Sequence, residues 1–165
     1  MRVELFKQAM GSLSRLAVIV YPADRVSAEL LCVAEATAKE RNIQILPINI
    51  SKAEELEAAF QEAHQWGAQA VMPLQGPIFF FQQKKIAELA ASYKLPLAGP
   101  EWGYADAGAV LEVSPDIPGC AARAVGFVDR ILKGAKANEL PVERCRMMHV
   151  VFNRNNDPTR SQTNT

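Results

Sequence analysis

The side chains with chemistry to offer fall in three short clusters: Tyr21, Asp24 and Ser27; Gln75 and Phe79; and Glu101, Trp102 and Tyr104. Each sets an aromatic ring beside a hydrogen-bonding group. That is the make-up of a wall that holds a small organic molecule by apolar contact and orients it with a few polar bonds. Free backbone N–H groups at helix starts near Ser27 and Pro77 would suit a carboxylate. Covalent and proton-transfer chemistry finds less support, because no His, Cys or Lys lies among these residues and only Asp24 or Glu101 is left as an acid or base. A purely structural reading covers the same positions, with Tyr21, Phe79 and Trp102 capping the core, Ser27 capping a helix and Asp24 serving a turn.

Other chemistries fail on spacing. The segment 21–27 has none of the glycines of a GxGxxG or GxxxxGK[ST] loop, and no GxSxG elbow occurs, which disfavours dinucleotide, nucleoside-triphosphate and serine-hydrolase chemistry. A lone Asp24 does not make the acidic cluster of a phosphorylated receiver. Cys32, Cys120 and Cys145 are odd in number with no CxxC spacing, and only His64 and His149 could join them. Neither a zinc site nor a disulfide framework is expected, and the three cysteines read as small buried or idle residues. His64, beside Trp66 in a helical pattern, reads as a surface or half-buried helix residue. No cofactor is implied.

The 165 residues suffice for one domain or one lobe, burying roughly 70% of the unfolded surface. Apolar residues make up 49%, and 18 basic against 18 acidic side chains leave a net charge of zero. Disorder, nucleic acid and anionic membrane lose support. No apolar run approaches the ~20 residues of a membrane span, and the opening residues lack the apolar core of a secretion signal, so a chain expressed as written is expected to remain cytoplasmic.

The clusters must be positioned by alternating strands and helices. Residues 16–20 read as a strand buried on both faces, 43–48 as a second, 68–74 as a third and 95–98 as a short fourth. Helices are expected from an N-cap at Ser27 to about residue 41, from a capping box at Ser51 and Glu54 to Gly67, and from Pro77 to Lys94. Short connections between them predict a three-layer α/β/α sandwich around a parallel sheet, with right-handed crossovers. The three clusters then lie at the carboxyl ends of the strands, where such sheets keep their ligands. Residues 109–113 suggest a fifth strand, 117–134 a fourth amphipathic helix and 147–152 an edge strand. The lobe is expected to span 1–152, followed by a disordered tail over 153–165. Phe79, Phe80 and Phe81 cannot all face one way on a helix, so at least one is expected to be exposed.

Several segments, taken in order, resemble the second lobe of a bacterial ABC-transporter substrate-binding family, similar to the type I periplasmic binding proteins. They are Gly11-Ser-Leu-Ser-Arg-Leu-Ala-Val-Ile-Val-Tyr-Pro22, Arg41-Asn-Ile-Gln44, residues 55–60 and 68–74, Leu95-Pro-Leu-Ala, Ala107-Gly108, Phe127-Val-Asp-Arg-Ile-Leu-Lys-Gly134 and Glu139-Leu-Pro-Val-Glu143. The resemblance covers about residues 1–145. It implies one Rossmann-like lobe of a two-lobed protein that closes on a small organic solute, such as an amino acid, and presents it to an ABC permease in the periplasm. The seven residues expected to bind the solute, from their types and their place in the strand-end loops, are Tyr21, Asp24, Ser27, Gln75, Phe79, Glu101 and Trp102. The sequence departs from the family in three places: the opening lobe is missing, Gly108-Ala-Val-Leu-Glu-Val-Ser114 replaces a Gly-Gly-Leu-x-Ser-Tyr-Gly-like stretch, and the chain after Glu143 is unlike the family's, as a truncated or frame-shifted gene would be. Since the helix over 116–134 packs on the first lobe in relatives, its apolar stripe is expected to cause self-association or low solubility, with a homodimer as one form. A small cofactor-independent enzyme and a protein-interaction module marked by Phe79 to Phe81 stand as alternatives.

Overall fold

The computed structural model describes residues 1–143 and 148–156. The chain opens on a helix, α1 (Arg2–Met10), then runs through β1 (Arg15–Val20), α2 (Arg25–Glu40), β2 (Gln44–Asn49), α3 (Leu56–Trp66) and β3 (Ala70–Pro73). It continues through α4 (Pro77–Phe81), α5 (Gln83–Ser92), β4 (Ala98–Gly99), α6 (Tyr104–Ala107), β5 (Leu111–Pro115), α7 (Ile117–Leu132) and β6 (Met148–Phe152). β1 is central between β2 and β3, both parallel to it, with Leu16 opposite Ile45 on one side and Ala70 on the other. A parallel bridge from Val71 to Leu97 leads on to β4, β5 and β6. Among the described strands only β6 runs antiparallel, with Val113 opposite Val150.

The expected layers follow from alternation along β1. Ala17 and Ile19 point to a core with Phe60, Val71, Ile86 and Leu97, covered by α3 and α5. Leu16, Val18 and Val20 point to the opposite core with Phe6, Ala34, Ala38 and Val113, covered by α1 and α2. Both faces of β1 are therefore dry, and its apolar run is the sequence form of a strand between two helix layers. β2 is half-exposed, as befits its place at the edge.

Local chemistry moves several expected boundaries. α2 starts two residues before Ser27, because Asp24 takes the cap and its Oδ1 accepts from the Val26 N–H at 3.0 Å. The carboxylate that closes back on Ser51 belongs to Glu55 rather than Glu54, at 2.7 Å from the Ser51 N–H. The helix expected from Pro77 to Lys94 breaks at Gln82 into α4 and α5. α1 and the four-residue α6 were not expected. α1 is held by Val3 and Phe6, which are buried. At Gly67 the backbone turns left-handed (φ 78°) to end α3, which a residue without Cβ does at little cost.

No residue of α7 is buried, and Val125, Val128, Ile131 and Leu132 are exposed, as expected of a stripe without its partner. Cys120 is disulfide-bonded, so its reading as a buried or idle residue outside any disulfide is corrected, while Cys32 is a free, exposed thiol; spacing alone does not reveal which cysteines the fold brings together. Cys145 and Met147 lie outside the described residues. Of the expected tail, Arg154–Asn156 form a 3-10 turn, and the Asn156 amide donates to the carbonyls of Ala105 and Ala109 at 3.1 and 3.2 Å. Residues 157–165 lie outside the described residues.

Candidate functional site at the strand ends

The loops after β1, β3 and β4 converge at the carboxyl end of the sheet, and hydrogen bonds tie them into one platform. Ser27 is fully buried, and its hydroxyl donates to the Gln75 carbonyl at 2.7 Å, joining the start of α2 to the loop after β3. The Gly76 N–H pulls on the Glu101 carboxylate of the loop after β4 and favours its charged form. The Tyr104 hydroxyl, also buried, donates to the Phe79 carbonyl at 2.8 Å. Gly99 lies so close under Tyr104 that a Cβ there would come within 2.1 Å of the tyrosine Cβ. Loops tied in this way leave the groups they carry little conformational freedom.

The seven candidates divide by burial. Trp102 is half exposed (51%), while Tyr21, Asp24, Gln75 and Glu101 are partly exposed around the same end of the sheet. Phe79 is fully buried in the core, so its ring supports the platform rather than facing a solute. Ser27, likewise buried, acts as a tie between loops. Asp24 has one carboxylate oxygen committed to its helix cap. Of the three phenylalanines, Phe80 (51%) and Phe81 (78%) are the exposed ones, with their rings meeting edge to face 5.3 Å apart.

Burial shapes the electrostatics. The Glu101 carboxyl is pushed above its ordinary range by desolvation, against the opposing pull of the Gly76 N–H and the Arg2 guanidinium. Desolvation lowers Arg2 to about 10, with Glu101 and Tyr104 acting in the other direction. The Tyr104 phenol is pushed up, first by desolvation and then by Glu101, so it remains a hydroxyl donor at any ordinary pH. Residue types had marked Tyr104 but not its role, and Arg2 was missed altogether. Only the helical spacing of Val3, Phe6 and Met10 hinted that the opening residues fold onto the site end of the sheet.

Next to the platform, the buried Glu112 accepts from the Gly103 and Ala105 N–H groups at 3.1 and 2.9 Å and from the Ser114 hydroxyl at 3.1 Å. Its carboxylate thus fixes the start of α6, a task the backbone amides of a short helix leave open. A hollow of about 120 Å³ beside it is lined by Trp102, Pro115, Asp116, Pro118 and His149. Among the described residues no group of three His, Cys, Asp or Glu side chains is placed to hold a metal ion. No helix among them is long and apolar enough to cross a membrane.

Comparison with known proteins gives the same architecture. A conserved domain protein from Vibrio cholerae O1 biovar El Tor superposes with a TM-score of 0.79 at 19% identity, over 93% of this chain and 52% of that one. An ABC domain in complex with L-Trp from Streptococcus pneumonia gives 0.79 at 16% identity, again over 93% and 52%. An ABC transporter solute-binding protein from R. palustris in complex with benzoate gives 0.55 at 17%, over 80% and 40%. The chain therefore spans about half the length of the first two solved structures it matches, and its fold is a periplasmic-binding-protein lobe. No curated protein matches. The profile of one family, described as ABC transporter substrate binding protein, matches residues 1–158, a family of solute-binding proteins rather than enzymes, and this chain belongs to it.

Proposed function

We propose that this lobe serves as the solute-binding component of an ABC transporter, or as a remnant of one, and binds a small organic solute such as an amino acid at the carboxyl ends of its strands. The observation that supports this reading is the tying of the loops at the carboxyl end of the sheet, Ser27 to Gln75 and Tyr104 to Phe79, which are the loops that carry Tyr21, Gln75, Glu101 and Trp102. Aromatic surface from Trp102 and Tyr21 would stack on the solute, and Gln75 and Glu101 would orient it. A partly buried carboxylate favours a solute carrying an amino group. The solutes named for the structural neighbours, L-Trp and benzoate, make reasonable first probes. The permease of such a transporter is the protein partner this reading implies. An extracytoplasmic location fits the disulfide at Cys120, since disulfides persist in oxidising compartments.

The two tryptophans of the chain offer the test. With Trp66→Phe leaving Trp102 as the sole indole, titration with amino acids and aromatic acids should change its fluorescence saturably with one solute class. Tyr21→Ala and Gln75→Ala should weaken that response. A flat signal across the panel would refute the site.

For the uncovered face of α7 we propose a second copy of this chain as partner. Light scattering should then show a mass that rises with concentration, and a sharp monomer peak at high concentration would overturn it.

A further inference from the structure

A second hollow of about 350 Å³ opens between α1, α2 and the ends of β3 and β5. Its walls are mainly apolar, with Leu30, Val33 and Ala34 from α2, Met72 and Leu74 from the β3 end, and Val113 from β5. Arg2 lines it as well, and the bonding of that guanidinium is incomplete. Its Nη2 reaches two backbone carbonyls at the long end of hydrogen-bond range, Pro100 at 3.5 Å and Val113 at 3.4 Å. Its Nε is buried and has no hydrogen-bond partner among the described residues.

We propose that this hollow binds a small monocarboxylate with an apolar tail, its carboxylate taken by the Arg2 guanidinium and its tail by the α2 and β3 side chains. Leaving a buried charged donor without an acceptor is costly, and native structures usually give such a group a partner. A carboxylate supplies two oxygens in the plane that a guanidinium fork matches, which a lone carbonyl does not. The volume lies at the small end of the ~300–1,000 Å³ range of ligand pockets, so a compact acid fits better than a peptide. Glu101 acts on Arg2 from the platform side and leaves the pair short of the positive charge that would hold a dianion. A single carboxylate is the match. The proposal does not depend on the strand-end reading, which shares only Gln75 with these walls.

Hexanoate and its uncharged counterpart hexanamide are the probes, and the methyl resonances of Met72 and Met148, both on the wall, are the readout. Hexanoate should shift the Met72 methyl saturably, with hexanamide binding about tenfold more weakly or worse, as loss of a charge-assisted hydrogen bond implies. Arg2→Gln should bring hexanoate down to the level of hexanamide. Val33→Trp, at a position 60% exposed on the rim, should block the hollow while leaving the fold intact, and so serves if Arg2→Gln does not fold. Trp102→Ala should leave hexanoate binding unchanged, which separates this site from the strand-end platform. Equal affinity for the two probes, an unmoved Met72 methyl, or undiminished binding in Val33→Trp would overturn the proposal.

Discussion

α2 and α7 are both sixteen residues long and both carry an apolar stripe, yet α2 buries Ser27, Ala34 and Ala38 while α7 buries nothing. Each is capped by an aspartate, Asp24 in one and Asp116 in the other, and each ends on a basic last turn. What differs is the neighbourhood. α2 lies over β1 with α1 beside it, and β1 and α1 supply the apolar surface its stripe meets. Periodicity therefore specifies which face a helix offers, and the rest of the fold decides whether that face is covered. A second lesson follows for the site. The platform grows from the packed region, so its geometry inherits that region's rigidity.

The largest expected effect tests this contrast directly. Phe60→Ala, in the core beneath α3 and α5, should cost about 3–5 kcal/mol of unfolding free energy, whereas Val125→Ala on α7 should stay within about 0.5 kcal/mol at concentrations low enough to keep the chain monomeric. Urea denaturation of the two variants measures both. If Val125→Ala costs as much as Phe60→Ala, the stripe of α7 is covered in solution by something that α2's comparison does not include.

Tyr104→Phe comes next. It removes one buried hydroxyl and strands the Phe79 carbonyl, so a loss of about 1–3 kcal/mol is expected, with the platform loops exchanging their amide hydrogens faster. Unchanged stability would mean that the hydroxyl does not hold the loop.

The two helix caps refine the comparison further. Asp24→Ala should cost about 1 kcal/mol globally, because α2 melts only with the core. Asp116→Ala removes the acceptor of the Gly119 N–H and should speed amide exchange within α7, with a smaller shift of the global midpoint than Asp24→Ala. Equal shifts in the global midpoint would place α7 in the same cooperative unit as α2.

The smallest effect is a pH dependence. Burial raises the Glu101 carboxyl in the folded chain, so on raising the pH the unfolded chain gives up this proton first. Stability from this group should accordingly fall as pH climbs from the ordinary glutamate value of 4.5 towards the higher folded value, and level off above it. Glu101→Gln should remove that slope and leave the molecule slightly more stable at neutral pH. A slope that persists in the variant would assign it to another carboxylate.

Much of the fold was legible in the sequence because β1, β3 and the helices between them carry unmixed patterns. Residues 16–20 form an unbroken apolar run, and the stripe Leu56, Ala59, Phe60 and Ala63 repeats at helical spacing; the structure buries all four of these helix residues. Boundaries were less legible where two residues competed for one task, as Asp24 and Ser27 did for the α2 cap and Glu54 and Glu55 for Ser51. There the outcome rests on backbone direction, which residue type does not encode. The site was legible as loops but only partly as side chains. Phe79 carries the chemistry of a ligand wall and is spent on the core, while Arg2 and Glu112 owe their roles to contacts across about a hundred residues or to a buried carboxylate reaching back nine positions. Long-range placement of that kind leaves no local trace. The same holds for the disulfide at Cys120.

Thermal unfolding of the Val33→Trp chain, in which the hollow beside α2 is blocked, against amino acids, aromatic acids and small carboxylates, repeated with Trp102→Ala added, bears most directly on the strand-end site. A ligand that binds only the folded lobe must raise its midpoint. The expected result is a rise of several degrees, about 3–5 °C, with one solute class, lost in Trp102→Ala although that exposed substitution leaves the unliganded midpoint in place. A cooperative transition that no solute moves, or a rise that survives Trp102→Ala undiminished, would contradict it.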